Sequence, residues 1–127
     1  MTTEQTTILI LDDEPIVSKR LQPSLEKKGY AVEAYIRSAD ALERIKEKQF
    51  DIVITDLKME GMDGMQFLTE VKKRYPATEV IVITGFATMV TAKESFNKGI
   101  FDFLAKPFKL GEISDVIAKA EAKIKAS

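Results

Sequence analysis

At 127 residues, 45% of them hydrophobic, the chain has the material for one domain with its own core and too little for two. Nineteen Lys and Arg against twenty Asp and Glu leave a net charge of −1, which gives no electrostatic case for nucleic acid or an anionic membrane as partner. The absence of Cys and His excludes a disulfide, a thiolate nucleophile and an imidazole base, and argues against zinc, so carboxylate, hydroxyl and amine chemistry remains.

The chain begins with a polar stretch unlike a signal peptide. No apolar run approaches the roughly 18 residues of a membrane span, so the cytoplasm is the expected location. Short apolar, β-branched runs then alternate with amphipathic stretches. A first strand is predicted over Thr7–Leu11, followed by a helix opened by Pro15, with Val17, Leu21, Ser24 and Leu25 on its inner face. That helix stops at Lys27-Lys28-Gly29, which puts cations in the last turn and a glycine where the left-handed cap falls. A second strand, 31–36, leads to a helix with Ser38 as its cap and Leu42 and Ile45 facing inward. The third strand, 51–55, precedes a helix carrying Phe67, Leu68, Val71 and Tyr75 and ended by Pro76. A fourth strand, Glu79–Thr84, is followed by a helix over 88–98 with a thin stripe of Ala92, Ser95 and Phe96, closed by Gly99. The last strand, 101–105, precedes a helix repeating Leu110, Ile113, Ile117, Ala120 and Ile124.

Regular β-then-α alternation implies a parallel sheet with helices on both faces, because right-handed crossovers must pass over the sheet. The expected fold is one doubly wound α/β domain spanning 1–127, with a core from about 7 to 124. Ligands of such folds bind at the carboxyl ends of the strands. Asp12 and Asp13 follow the first strand, Asp56 the third, Thr84 ends the fourth and Lys106 follows the fifth, so four strands contribute to one site.

An Asp-Asp pair before Glu14-Pro15 reads equally as a helix N-terminus with favourable charges. A third carboxylate at the same edge would raise at least one pKa unless a cation compensates. Oxygen ligands alone point to Mg2+ or a similar hard ion, such as Mn2+. Lys106 taken singly is a surface charge, and Thr84 an ordinary strand residue with a locally satisfied hydroxyl. Together, a cation, an ammonium and a hydroxyl surround the oxygens of a transferring phosphoryl group, with Asp56 as the nucleophile that forms an aspartyl phosphate.

The motifs ILDDEP, IVITDLKMEGMDG, VIVITGF and DFLAKPF, in this order and strand context, resemble the receiver domain of bacterial two-component response regulators. The resemblance implies a flavodoxin-like five-stranded sheet in the order 2-1-3-4-5. It implies Asp56 as phospho-acceptor, Asp12 and Asp13 as Mg2+-binding acids, and the backbone carbonyl of Lys58 as a further ligand. Thr84 matches the switch hydroxyl, Lys106 the phosphoryl-contacting lysine, Lys106-Pro107 a cis bond, and Phe103 the aromatic switch position, where a plain core aromatic is the competing reading. Lys58 and Phe86 match positions that affect phosphoryl lifetime, and a bulky Phe86 shielding the acyl phosphate implies a half-life of minutes or longer. Ile16 and Arg20, with Val17 and Leu21, lie on or near the helix such domains present to a kinase, although the last two read equally as core.

The implied partners are a histidine kinase or phosphotransfer protein as donor and an output domain or effector controlled through the surface of the fourth helix, fifth strand and fifth helix. A phosphorylation-dependent homodimer is a further possibility, with Ile113 and Ile117 beside Lys119 and Lys123 as one candidate face. The stretch TGFATMVTAKESFNKGIFDFLAKPF is similar to receivers of sigma-54-dependent activators of the nitrogen-regulatory type, which leaves open an excised N-terminal receiver or a stand-alone regulator. Competing classes are an interaction-only receiver and an aspartate-nucleophile phosphohydrolase, the latter opposed by Lys58 where a second acid is usual. A nucleotide or flavin binder is opposed by the absence of a Gly-rich loop after the first strand.

Overall fold

The computed structural model describes residues 5–58 and 63–127. Five strands and five helices alternate: β1 (Thr7–Leu11), α1 (Pro15–Lys27), β2 (Ala31–Tyr35), α2 (Ser38–Glu47), β3 (Ile52–Thr55), α3 (Gly64–Arg74), β4 (Glu79–Thr84), α4 (Met89–Asn97), β5 (Asp102–Ala105) and α5 (Leu110–Ala126). All strand pairs are parallel and the order is β2-β1-β3-β4-β5.

Period-two alternation divides the interior into two layers, because successive strand side chains point to opposite faces. Ile8, Ile10, Ile52, Ile54, Ile81 and Ile83 pack with Val17, Leu21 and Leu25 of α1 and with Ile113, Val116, Ile117 and Ala120 of α5. Leu9, Leu11, Val53, Val80 and Val82 pack with Ala41 and Ile45 of α2 and with Phe67, Leu68 and Val71 of α3. Each fully buried Leu or Ile contributes about 1.5–3 kcal/mol relative to exposure, so the layers hold the sheet edge that carries the site.

Several expectations are corrected. β2 ends at Tyr35, leaving Ile36 half exposed, and β3 begins at Ile52. Asp51 instead uses its carboxylate to accept from the Thr7 amide at 2.9 Å. Ser38 is the first buried residue of α2 and not its cap, the N-cap being Arg37 without a side-chain bond. Phe96 does not join an inner stripe: it is 48% exposed, and Ser95 is the buried residue of α4. Ile113 and Ile117 are wholly buried, so they belong to the core and do not form an exposed dimer face.

Candidate functional site

The carboxyl ends of β1 and β3 are adjacent in register, Leu11 opposite Thr55, so the residues that follow them meet. One carboxylate oxygen from each of Asp12, Asp13 and Asp56 lies within 4.8 Å of the others. Asp12 and Asp56 are buried, whereas Asp13 faces solvent. Backbone amides pin the buried pair. Asp12 Oδ1 accepts from the Glu14 amide at 2.9 Å, and Asp56 Oδ1 accepts from Leu57 at 2.6 Å and Lys58 at 3.3 Å. Asp56 Oδ2 is left facing Lys106.

Lys106 comes from the far side of the cluster, after β5, where its amide donates to the Thr84 carbonyl at 2.8 Å. Its bond to Pro107 is cis. The ammonium donates to Asp56 Oδ2 at 2.8 Å and to Glu14 Oε1 at 2.7 Å, and lies 2.7 Å from Asp12 Oδ2. This last contact has the distance of a hydrogen bond but not its alignment. Among the described residues, Asp12 Oδ2 is the buried side-chain oxygen without a hydrogen-bond partner.

Charge explains the pKa directions. Burial raises the Asp12 carboxyl above its ordinary value and outweighs the opposing Lys106 ammonium and the hydrogen bond from the Glu14 amide. Burial alone would lower the Lys106 ammonium, but its close contacts with the carboxylates of Asp12, Asp56 and Glu14 hold it above its usual value. Four carboxylates face one ammonium, so the cluster is short of positive charge. An all-oxygen donor set, an unpartnered buried oxygen and an excess of negative charge fit a hard divalent cation such as Mg2+.

Thr84 is fully buried at the end of β4, in register with Ala105, and its hydroxyl accepts from the Phe86 amide at 3.1 Å. It shares the sheet edge but spends this contact on its own loop. Phe103 is half buried against the α2–α3 layer. The Lys58 ammonium sits 4.3 Å from the centroid of the Phe86 ring, a cation–π contact joining the loops after β3 and β4. Phe86 is 52% exposed there. An open groove of about 520 Å³ runs beside this pair, lined in part by Leu57, Met65, Thr91 and Glu94.

Away from the cluster, Ile16 is 58% exposed and Arg20 lies 5.6 Å from the Phe108 ring centroid, whereas Val17 and Leu21 are core. Residues 59–62, within the second motif IVITDLKMEGMDG, lie outside the described residues.

Two contributors escape sequence reasoning. Glu14 looks like a helix-start acid, yet as N-cap of α1 it makes no side-chain cap bond and reaches Lys106, 92 positions away. Gly64 looks like a turn residue, but a Cβ there would lie 1.9 Å from the Asp56 carbonyl oxygen, so α3 rests directly on the backbone of the acceptor candidate. The Glu14 contact requires the tertiary fold. An adjacent Asp-Gly before a helical pattern is the one local hint of the other.

Residues 8–118 match the model of the response regulator receiver domain. The transcriptional regulatory protein ZraR of Klebsiella oxytoca is 34% identical over the whole chain, which covers 29% of that protein. The DNA-binding transcriptional regulator NtrC of Escherichia coli K12 is 29% identical over 89% of the chain, covering 24% of the relative. The chain thus spans about a quarter to three-tenths of the length of these curated relatives. A response regulator receiver domain protein from Clostridium thermocellum superposes with a TM-score of 0.88 at 32% identity, covering 95% of this chain and 98% of that one. The beryllofluoride-activated NtrC4 receiver domain dimer gives 0.87 at 32% identity, covering 93% and 98%. With ZraR and NtrC among its relatives, and its acids, lysine and threonine gathered at one sheet edge, the chain belongs to the response regulator receiver domain family, of the NtrC-like type.

Proposed function

We propose that this receiver accepts a phosphoryl group on Asp56 from the phosphohistidine of a histidine kinase or phosphotransfer protein and passes the signal on as a change of surface. The observation that carries this is Asp56 Oδ2, buried and held at 2.8 Å by the Lys106 ammonium, with two further acids beside it. A carboxylate oxygen of Asp56 attacks phosphorus; the O–P bond forms as the N–P bond breaks, and the imidazole leaves with that electron pair. Lys106 pairs with the phosphoryl oxygens as they leave the donor. Asp12, Asp13, Asp56 and the Lys58 carbonyl would hold Mg2+ or Mn2+, which supplies positive charge to the phosphoryl oxygens. Phosphorylation and dephosphorylation are self-catalysed events of a signalling domain, without turnover of a substrate.

Thr84 gives up the Phe86 amide to meet the phosphoryl group, and Phe103 follows into the vacated space. The switch acts only to the extent that phosphoryl contacts differ between the two states. The responding surface is α4, β5 and α5. α4 carries Met89 and Val90, 90% and 74% exposed, which suits an output domain or a second receiver. Ile16 and Arg20 face the donor. A cytoplasmic location follows from this partnership; no helix among the described residues is long and apolar enough to cross a membrane.

Intact-mass spectrometry after incubation with acetyl phosphate tests the proposal. A gain of about 80 Da, the mass of one phosphoryl group, is expected with Mg2+ and not in chelator or in Asp56→Asn. Its decay over minutes or longer is expected from shielding by Phe86. No adduct under conditions that label another receiver would leave an interaction module instead.

A further inference from the structure

Lys106 is surrounded before any phosphoryl group arrives. Three carboxylate oxygens, from Asp12, Glu14 and Asp56, lie 2.7, 2.7 and 2.8 Å from its Nζ. An ammonium has three N–H donors. Two of them are directed, at Glu14 and Asp56, while Asp12 Oδ2 crowds Nζ at 2.7 Å without alignment, so a phosphoryl oxygen finds room beside the ammonium only where one carboxylate yields. The three are unequal: the side chains of Asp12 and Asp56 are 0% and 6% exposed and tied by backbone amides, whereas that of Glu14 is 58% exposed. Glu14 alone can swing into water without leaving a buried charge unpaired. Its place on the chain reinforces this, since as N-cap of α1 it forgoes the capping bond and turns to the lysine that follows the edge strand β5.

We propose that Glu14 is the exchangeable partner of Lys106, a latch that occupies the lysine in the unphosphorylated state and is displaced by the incoming phosphoryl group. This rests on Asp56 being the acceptor. Glu14 is a positioning residue: it holds the ammonium against Asp12 and Asp56 and competes with the phosphoryl oxygens for it.

Beryllofluoride binding at saturating Mg2+, followed by NMR, tests the latch in wild type, Glu14→Gln and Glu14→Asp. Glu14→Asp keeps the charge and shortens the reach, so it separates contact from field. Both variants are expected to bind about two- to five-fold more tightly, the size of one exposed ion pair. Without beryllofluoride, the Lys106 ammonium protons, identified by their loss in Lys106→Arg, are expected to exchange faster with water in both. A Glu14→Asp that matches wild type in both measurements, or variants that bind more weakly, would overturn the latch. Failure of the wild type to bind, or binding indifferent to Asp56→Asn, would overturn the acceptor assignment and the latch with it.

Discussion

Asp12 bears the conflict on which the site runs. It is wholly buried, its Oδ2 lacks an aligned donor, and burial lifts its carboxyl pKa. A folded-state pKa above the unfolded one means that the charge of Asp12 costs stability at neutral pH, a cost that disappears as pH falls through the folded value. Asp12→Asn removes the charge while Lys106 keeps Asp56 and Glu14. The variant is expected to melt above wild type in chelator and to bind Mg2+ at least about ten-fold more weakly, the lower end of what even hydrogen-bond partners of metal ligands cost when removed. A lower melting temperature in calorimetry would refute this account of Asp12. The acids were legible in the sequence because each follows an apolar run, and a parallel sheet brings such ends together. Glu14 was not, because only the folded chain shows that its side chain leaves its own helix.

Helix α3 sets the backbone that Asp56 rides on. The Asp63 carboxylate caps it by accepting from the Met65 amide at 2.7 Å, and the Gly64 amide donates to the Leu57 carbonyl at 2.9 Å. The Cβ of an alanine at 64 would meet backbone, 1.9 Å from the Asp56 oxygen and 2.6 Å from Leu57 Cα, and neither can rotate away as a side chain would. Gly64→Ala is expected to cost about 1–3 kcal/mol in urea denaturation, as overpacked sites do, and to slow labelling of Asp56 by acetyl phosphate. Wild-type values for both would show that α3 can shift freely. Element order and type were legible throughout, because strands covered on both faces read as continuous β-branched runs. What failed was local. Ser38 is a favourable cap residue, but burial draws it into α2. Phe96 has core chemistry, yet α4 lies so shallowly that Ser95, donating to the Thr91 carbonyl at 2.7 Å, faces inward in its place.

Over the whole molecule, a net charge of −1 conceals an uneven distribution. The amino end of the sheet is balanced locally, Glu79 pairing with Lys123 at 2.8 Å, and β2 is tied to α2 by Glu33 and Arg44, also at 2.8 Å. The carboxyl end concentrates Asp12, Asp13, Glu14 and Asp56 around Lys106. A ligand that binds only the folded chain stabilises it by RT ln(1 + [L]/Kd), and unfolding scatters these acids, so divalent cations should favour the fold. At a hundred times its Kd, Mg2+ is expected to add about 2.7 kcal/mol. Sodium chloride at matched ionic strength screens the acids without bridging them and is expected to give a smaller rise. The Mg2+-specific part should shrink in Asp13→Asn, whose acid is exposed and dispensable to the core. Equal stabilisation by the two salts, or a Mg2+ effect that survives Asp13→Asn undiminished, would mean that the acids merely repel one another and coordinate nothing.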